Sequence, residues 1–214
     1  MENCTIYSHQ LRFADVARIV KAKLPKAKIE YNDNGKQKGL VATIKGGLFG
    51  KTKTLKINYR ERENPSYKLD KIECGLTQNL SGMVNFIQSF PTSNEALRNK
   101  FLHKVMSANC EMPFMVEPNI TTEFENILNE IANELDAFIF VQPSKIFSKS
   151  NSPHFLDKDF NLIIDGNGNM EVSDISVVVD SKYHDETKEK YSEEQLKKRR
   201  SQNHYKLMLD GLIE

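Results

Sequence analysis

Apolar positions along the chain fall into two helical stripes of the same spacing. Phe13, Val16, Ala17, Val20 and Leu24 recur as Phe124, Ile127, Leu128, Ile131 and Leu135, each displaced by the same 111 positions. Steps of three and four residues predict an amphipathic helix at each place. Pro25 closes the first, and Thr122 with Glu125 three residues on predicts a capping box opening the second. Around the first helix, an apolar run over 4–7, alternation over 28–31 and an Asn32-Asp33-Asn34-Gly35 turn leading into 40–45 predict strands. A further strand is expected where Leu55, Ile57 and Tyr59 alternate with Lys56, Asn58 and Arg60. Around the second helix, strands are expected over 114–116, 137–141 and 162–164, with a hairpin across the Asp165 to Asn169 turn into Met170 to Val179.

Both stretches therefore read β-α-β-β-β. A fixed offset with matching strand order suggests an internal repeat, and a duplicated scaffold presents a surface more often than a new catalytic centre. Between the stretches, 76–90 and 95–106 predict a helical pair separated by Pro91, Thr92 and Ser93. Lys145 to Asp159 is polar, contains Pro153, and is expected to be a mobile loop. Ser192 followed by Gln195 predicts a capped, charged C-terminal helix. The expected fold is α+β: a first unit over 1–75, the helical pair over 76–110, a second unit over 111–182, and a charged linker with a helix over 183–214. Each sheet is expected to carry its helix on one face.

Composition narrows the function classes. With 39% hydrophobic and 28% charged residues, the chain suits a folded globular protein. No apolar run approaches the roughly 20 residues that span a bilayer, and MENCTIYSHQ lacks the plan of a secretion signal, so a cytoplasmic protein with no membrane partner is expected. A net charge of +1 supplies no global attraction to nucleic acid. A local patch is the remaining route, through Lys36, Lys38, Lys45, Lys51, Lys53, Lys56, Arg60 and Arg62. Glu61, Glu63 and Asp70 follow closely and no aromatic interleaves the lysines, so the stretch reads as a solvated face.

Three constellations invite chemistry. Gly46-Gly47-Leu48-Phe49-Gly50-Lys51-Thr52 is one residue short of a phosphate-binding loop and leads into a strand where that loop needs a helix, so it reads as a hairpin connection. Asp165, Asn167, Asn169 and Glu171 take the first, third, fifth and seventh places of a calcium loop. Met170 and Ser176 fail its sixth and twelfth places, which favours a tight turn. Cys4, Cys74 and Cys110 form no C-x-x-C pair, and His9, His103, His154, His184 and His204 have no metal-ligand spacing, so neither a disulfide framework nor a metal centre is expected.

Asp165 at the end of one apolar strand, then Val177-Val178-Val179 leading into Asp180-Ser181-Lys182, resembles the PD-(D/E)-x-K nuclease core. The resemblance implies Asp165 and Asp180 as ligands of a divalent metal such as Mg²⁺, and Lys182 as the group stabilising developing charge. The last quarter of the chain, roughly, is similar to a bacterial family known as domain of unknown function 4272. That similarity rests on Lys198-Arg199-Arg200-Ser201 and the segment from Leu207 to Gly211, preceded by Asp165-Gly166 and the acidic linker from Asp185 to Glu194. It implies an amino-terminal α+β module ahead of a helical region and assigns no catalytic residues. The expectation is a non-catalytic interaction module for a protein or peptide partner, without cofactor. The alternative is a Mg²⁺-dependent nuclease using Asp165, Asp180 and Lys182.

Overall fold

The structure, a computed structural model, describes residues 2–10, 12–33, 37–46, 50–61, 76–118, 120–141 and 153–177. In chain order the elements are β1 (Glu2–Ser8), α1 (Phe13–Lys23), β2 (Lys28–Asp33), β3 (Gln37–Ile44), β4 (Lys53–Glu61), α2 (Leu76–Ser89) and α3 (Glu95–Met106). They continue as β5 (Cys110–Glu117), α4 (Thr122–Glu134), β6 (Phe138–Val141), β7 (His154–Leu156) and β8 (Leu162–Asp165). Two compact units result. One is Met1–Glu61 with Asn109–Val172, and the other is Arg62–Ala108 with Ser173–Glu214.

The first unit holds both β-α-β-β-β segments, and its strands form one antiparallel sheet, β2-β3-β4-β5-β1-β6-β7-β8. The expectation of a separate sheet for each segment is therefore corrected. β5 lies between β4 and β1, and β1 lies between β5 and β6, so the leading strand of each segment is built into the strands of the other. Alternation with period two tells which face of a strand is buried but not which strand lies beside it.

The two connections also differ. From β1, α1 leads to the far edge strand β2, whereas α4 leads from β5 to β6 with only β1 between. The first meander thus runs inward from the edge, and the second runs outward to it.

α1 and α4 pack against each other, and both join the core with Ile6, Leu40, Ala42, Leu55, Ile57, Met112, Phe114 and Ile139 of the sheet. At the 111-residue offset, Val16 and Ile127, Val20 and Ile131, and Leu24 and Leu135 are buried pairwise. Elsewhere the stripes diverge. α1 also buries Ile19, matched by the half-buried Glu130, while α4 buries Ala132, matched by the exposed Lys21. Each fully buried large apolar side chain contributes about 1.5–3 kcal/mol.

Three local expectations change. The capping box at Thr122 is not formed, because Thr121 is the N-cap and makes no side-chain cap bond. That register puts Phe124, which has no acceptor, where the box needs Glu. The helix instead ends on a bond from the Ala137 N–H to the Ala132 carbonyl (2.8 Å), with Asp136 left-handed at φ 44°.

β7 forms inside the stretch expected to be a loop. Three residues are too few to show alternation, and only Phe155 of the three is buried. Conversely, 170–177 forms no strand. The N–H groups of Glu171 and Val172 both reach the Leu162 carbonyl (2.9 and 3.1 Å), which ends the ladder after one rung.

In the second unit α2 and α3 pack together, with Val84, Ile87, Phe101 and Val105 fully buried. Asn94 caps α3 by accepting the Leu97 N–H at 3.0 Å. Lys100 pairs with Asp174 (2.6 Å) and Lys104 bonds Ser176 (3.0 Å), while Ile175 between them is buried. The segment after the sheet is thus tied to one turn of α3. The expected helix after Ser192 lies outside the described residues.

Candidate functional site

Of the nuclease trio only Asp165 is described; Asp180 and Lys182 lie outside. The Asp165 carboxylate serves its own turn. Oδ1 accepts the N–H groups of Asn167 (2.8 Å) and Asn169 (2.9 Å), and Oδ2 accepts the Asn169 side-chain amide (2.9 Å). Eight positions earlier Asp157 does the same. Its Oδ1 accepts from the N–H groups of Asp159 and Asn161 (both 2.9 Å), and its Oδ2 accepts from the Asn161 amide (3.1 Å).

Each loop needs a left-handed residue before its Asn, Phe160 at φ 66° and Gly168 at φ 81°. The signal for this tandem was present as Asp-x-x-x-Asn repeated at spacing eight. Asn129 and Asn133 of α4 both donate to the Lys158 carbonyl (2.7 and 3.3 Å), holding the first loop to the helix.

Burial raises the Asp165 carboxyl, but the hydrogen bonds from Asn169 and Asn167 outweigh it and leave the group below its ordinary value. A depressed folded pKa gives stability that is present above the ordinary carboxylate range and lost as pH falls through the folded value. Thermal unfolding of wild type and Asp165→Asn should therefore differ near neutrality and converge on acidification. A gap independent of pH would contradict this role for the carboxylate.

The other sequence candidates also find their places. The glycine-rich segment connects β3 to β4, with residues 47–49 outside the described set. A Cβ on Gly46 would lie 1.9 Å from the Gly50 carbonyl oxygen, so the loop is pinched where only glycine fits. The basic stretch is split by strand alternation. Lys38 shares the face of Tyr59 and pairs with Glu61 (3.4 Å), whereas Lys56 and Arg60 turn to the other face; Lys36 and Arg62 are outside the described residues.

Cys110 donates its thiol to the Gln10 carbonyl (3.1 Å), and burial pushes it up to about 12, far from a reactive thiolate. His9 sits beside Asn109, whose amide donates to the His9 carbonyl at 3.1 Å. Among the described residues no three His, Cys, Asp or Glu side chains are grouped to hold a metal ion.

On the face opposite α1 and α4, one cross-strand row runs Arg60, Glu111, Tyr7, Phe138 over β4, β5, β1 and β6. Glu111 is fully buried, ion-paired to Arg60 and hydrogen-bonded by the Tyr7 hydroxyl. Burial, followed by the Glu111 charge and that hydrogen bond, raises the Tyr7 hydroxyl, with Arg60 opposing. Tyr7 stacks on Phe138 with centroids 5.2 Å apart. The row fastens the sheet centre.

The two sheet edges are treated differently. β8 is overlaid by its own continuation through the bonds from Glu171 and Val172 to Leu162. No described strand pairs with the outer side of β2, and Ile29 alone of that strand is half-buried. Tyr31, opposite the buried Leu40 on the helix side, is 57% exposed. It walls a groove of about 440 Å³ with Ala14, Ala17, Arg18, Lys21 and Ala22 of α1.

A second groove, on the outer face of α4, is polar, and its Lys23 and Glu130 are paired at 2.6 Å. Of these two grooves, the one beside Tyr31 has the apolar floor and runs along a strand edge that is unpaired among the described residues. The chain matches no known protein family, no curated protein and no solved structure. Among the described residues no helix is long and apolar enough to cross a membrane.

Proposed function

We propose that this chain is a non-catalytic, cytoplasmic binding module for a protein or peptide, and that it makes contact through the open edge of β2 and the groove beside Tyr31. The observation that carries the reading is Tyr31, a large exposed aromatic on an edge strand that no described strand pairs on its outer side. Exposed aromatics anchor interfaces because they bury much surface for little lost freedom, and an open antiparallel edge offers ready-made main-chain hydrogen bonds. The engagement of Asp165 in its own turn also favours binding over hydrolysis.

Short random peptides displayed on phage and panned on the full chain should enrich sequences that fail to bind Tyr31→Ala. DNA or RNA cleavage in Mg²⁺ that disappears in Asp180→Ala would replace this reading with the nuclease.

A further inference from the structure

We infer that the groove takes an acidic, extended segment of a partner protein, added as a strand to β2 with a carboxylate on Lys21. The inference rests on the binding-module reading and specifies its ligand. Charge complementarity carries it. Arg12 and Arg18 pair with Asp15 and Glu134, and Lys23 pairs with Glu130. Among the described residues Lys21 alone of these cations pairs with no acid, and it lines the groove. Arg18 lies on the same wall, and among the described residues no acidic side chain lines this groove.

The floor is made of the methyl groups of Ala14, Ala17 and Ala22. An incoming strand would bond to the outer N–H and C=O groups over residues 28–32 and turn alternate side chains to the helix side, about 6.6 Å apart. One such side chain, apolar, fits the alanine floor against the Tyr31 ring. The next, Asp or Glu, meets Lys21. Lys28 and Glu30 face the other way and pair with each other at 2.5 Å, so they leave the groove's charge unaltered.

The test uses peptides enriched by panning, made synthetically and titrated by fluorescence anisotropy against the full chain. Enriched sequences should carry Asp or Glu two residues from an apolar one. Lys21→Glu should weaken binding about ten-fold or more, as loss of a central contact does. Reversing the peptide acid to Lys should restore binding to Lys21→Glu. Methylating backbone nitrogens should abolish binding in one alternate set and spare it in the other.

Both positions substituted, Lys21 and Tyr31, are exposed, so unfolding curves should match wild type. Peptides that bind Lys21→Glu and wild type equally would overturn the acidic strand while leaving the module standing. No enrichment at all would sink both. Single-stranded oligothymidylate that binds and is lost in Lys21→Glu would overturn the peptide in favour of nucleic acid.

Discussion

Phe124→Ala should lower the unfolding free energy by about 4 kcal/mol, with Phe13→Ala costing less than half of that. The two residues occupy the same place in the matched stripes, 111 positions apart. A strict repeat would give them equal weight. The structure does not, because Phe124 is fully buried in the core while Phe13 is half-buried against it, with its ring 5.1 Å from that of Tyr59.

Truncating a fully buried Phe removes its transfer energy and leaves a cavity, together about 3–5 kcal/mol. A half-buried ring keeps some of its surface wet already and loses correspondingly less. Urea unfolding of the two variants, with an unchanged dependence on denaturant, would measure the difference. Equal losses would mean that the stripes are equivalent in packing as well as in spacing.

α1, α4, α2 and α3 were legible because each sets apolar residues at steps of three and four against polar ones, a pattern internal to the segment. β4 was legible from Leu55, Ile57 and Tyr59 for the same reason at period two. The joining of both segments in a single sheet depends on which strand lies beside β1, and nothing within Glu2–Ser8 encodes that neighbour.

β7 was missed because His154, Phe155 and Leu156 offer one buried residue between polar turns. The tandem turns are written in the sequence as Asp-x-x-x-Asn at Asp157 and again at Asp165, and the calcium-like spacing of oxygens extends over the second alone. The candidate surface was the least legible part. Tyr31 sits in an alternating strand where an aromatic is expected to be buried, and its exposure follows from β2 lying beyond α1 at the edge of the sheet. Glu111 is the converse: a carboxylate in an apolar run, fully buried with Arg60 and Tyr7 beside it on the strands to either side.

That row supports the second large effect. Arg60→Met should cost about 3 kcal/mol, since it leaves the fully buried Glu111 carboxylate without its cation. The Arg60 side chain is 38% exposed, so solvent screens its attraction to Glu111 and the figure stays near the lower end for such pairs. Tyr7→Phe, which removes one donor to the same carboxylate but leaves the ion pair, should cost about 1 kcal/mol.

The decisive comparison is Arg60→Met combined with Glu111→Met. If the destabilisation comes from an uncompensated buried charge, the double variant recovers much of what the single one loses, because a matched apolar pair no longer needs the cation. If Arg60 instead acts through the packing of its stem, the two substitutions add. Chemical unfolding of the three variants and wild type closes this cycle, and additivity within about 0.5 kcal/mol would remove the ion pair from the account of what holds β4 to β5.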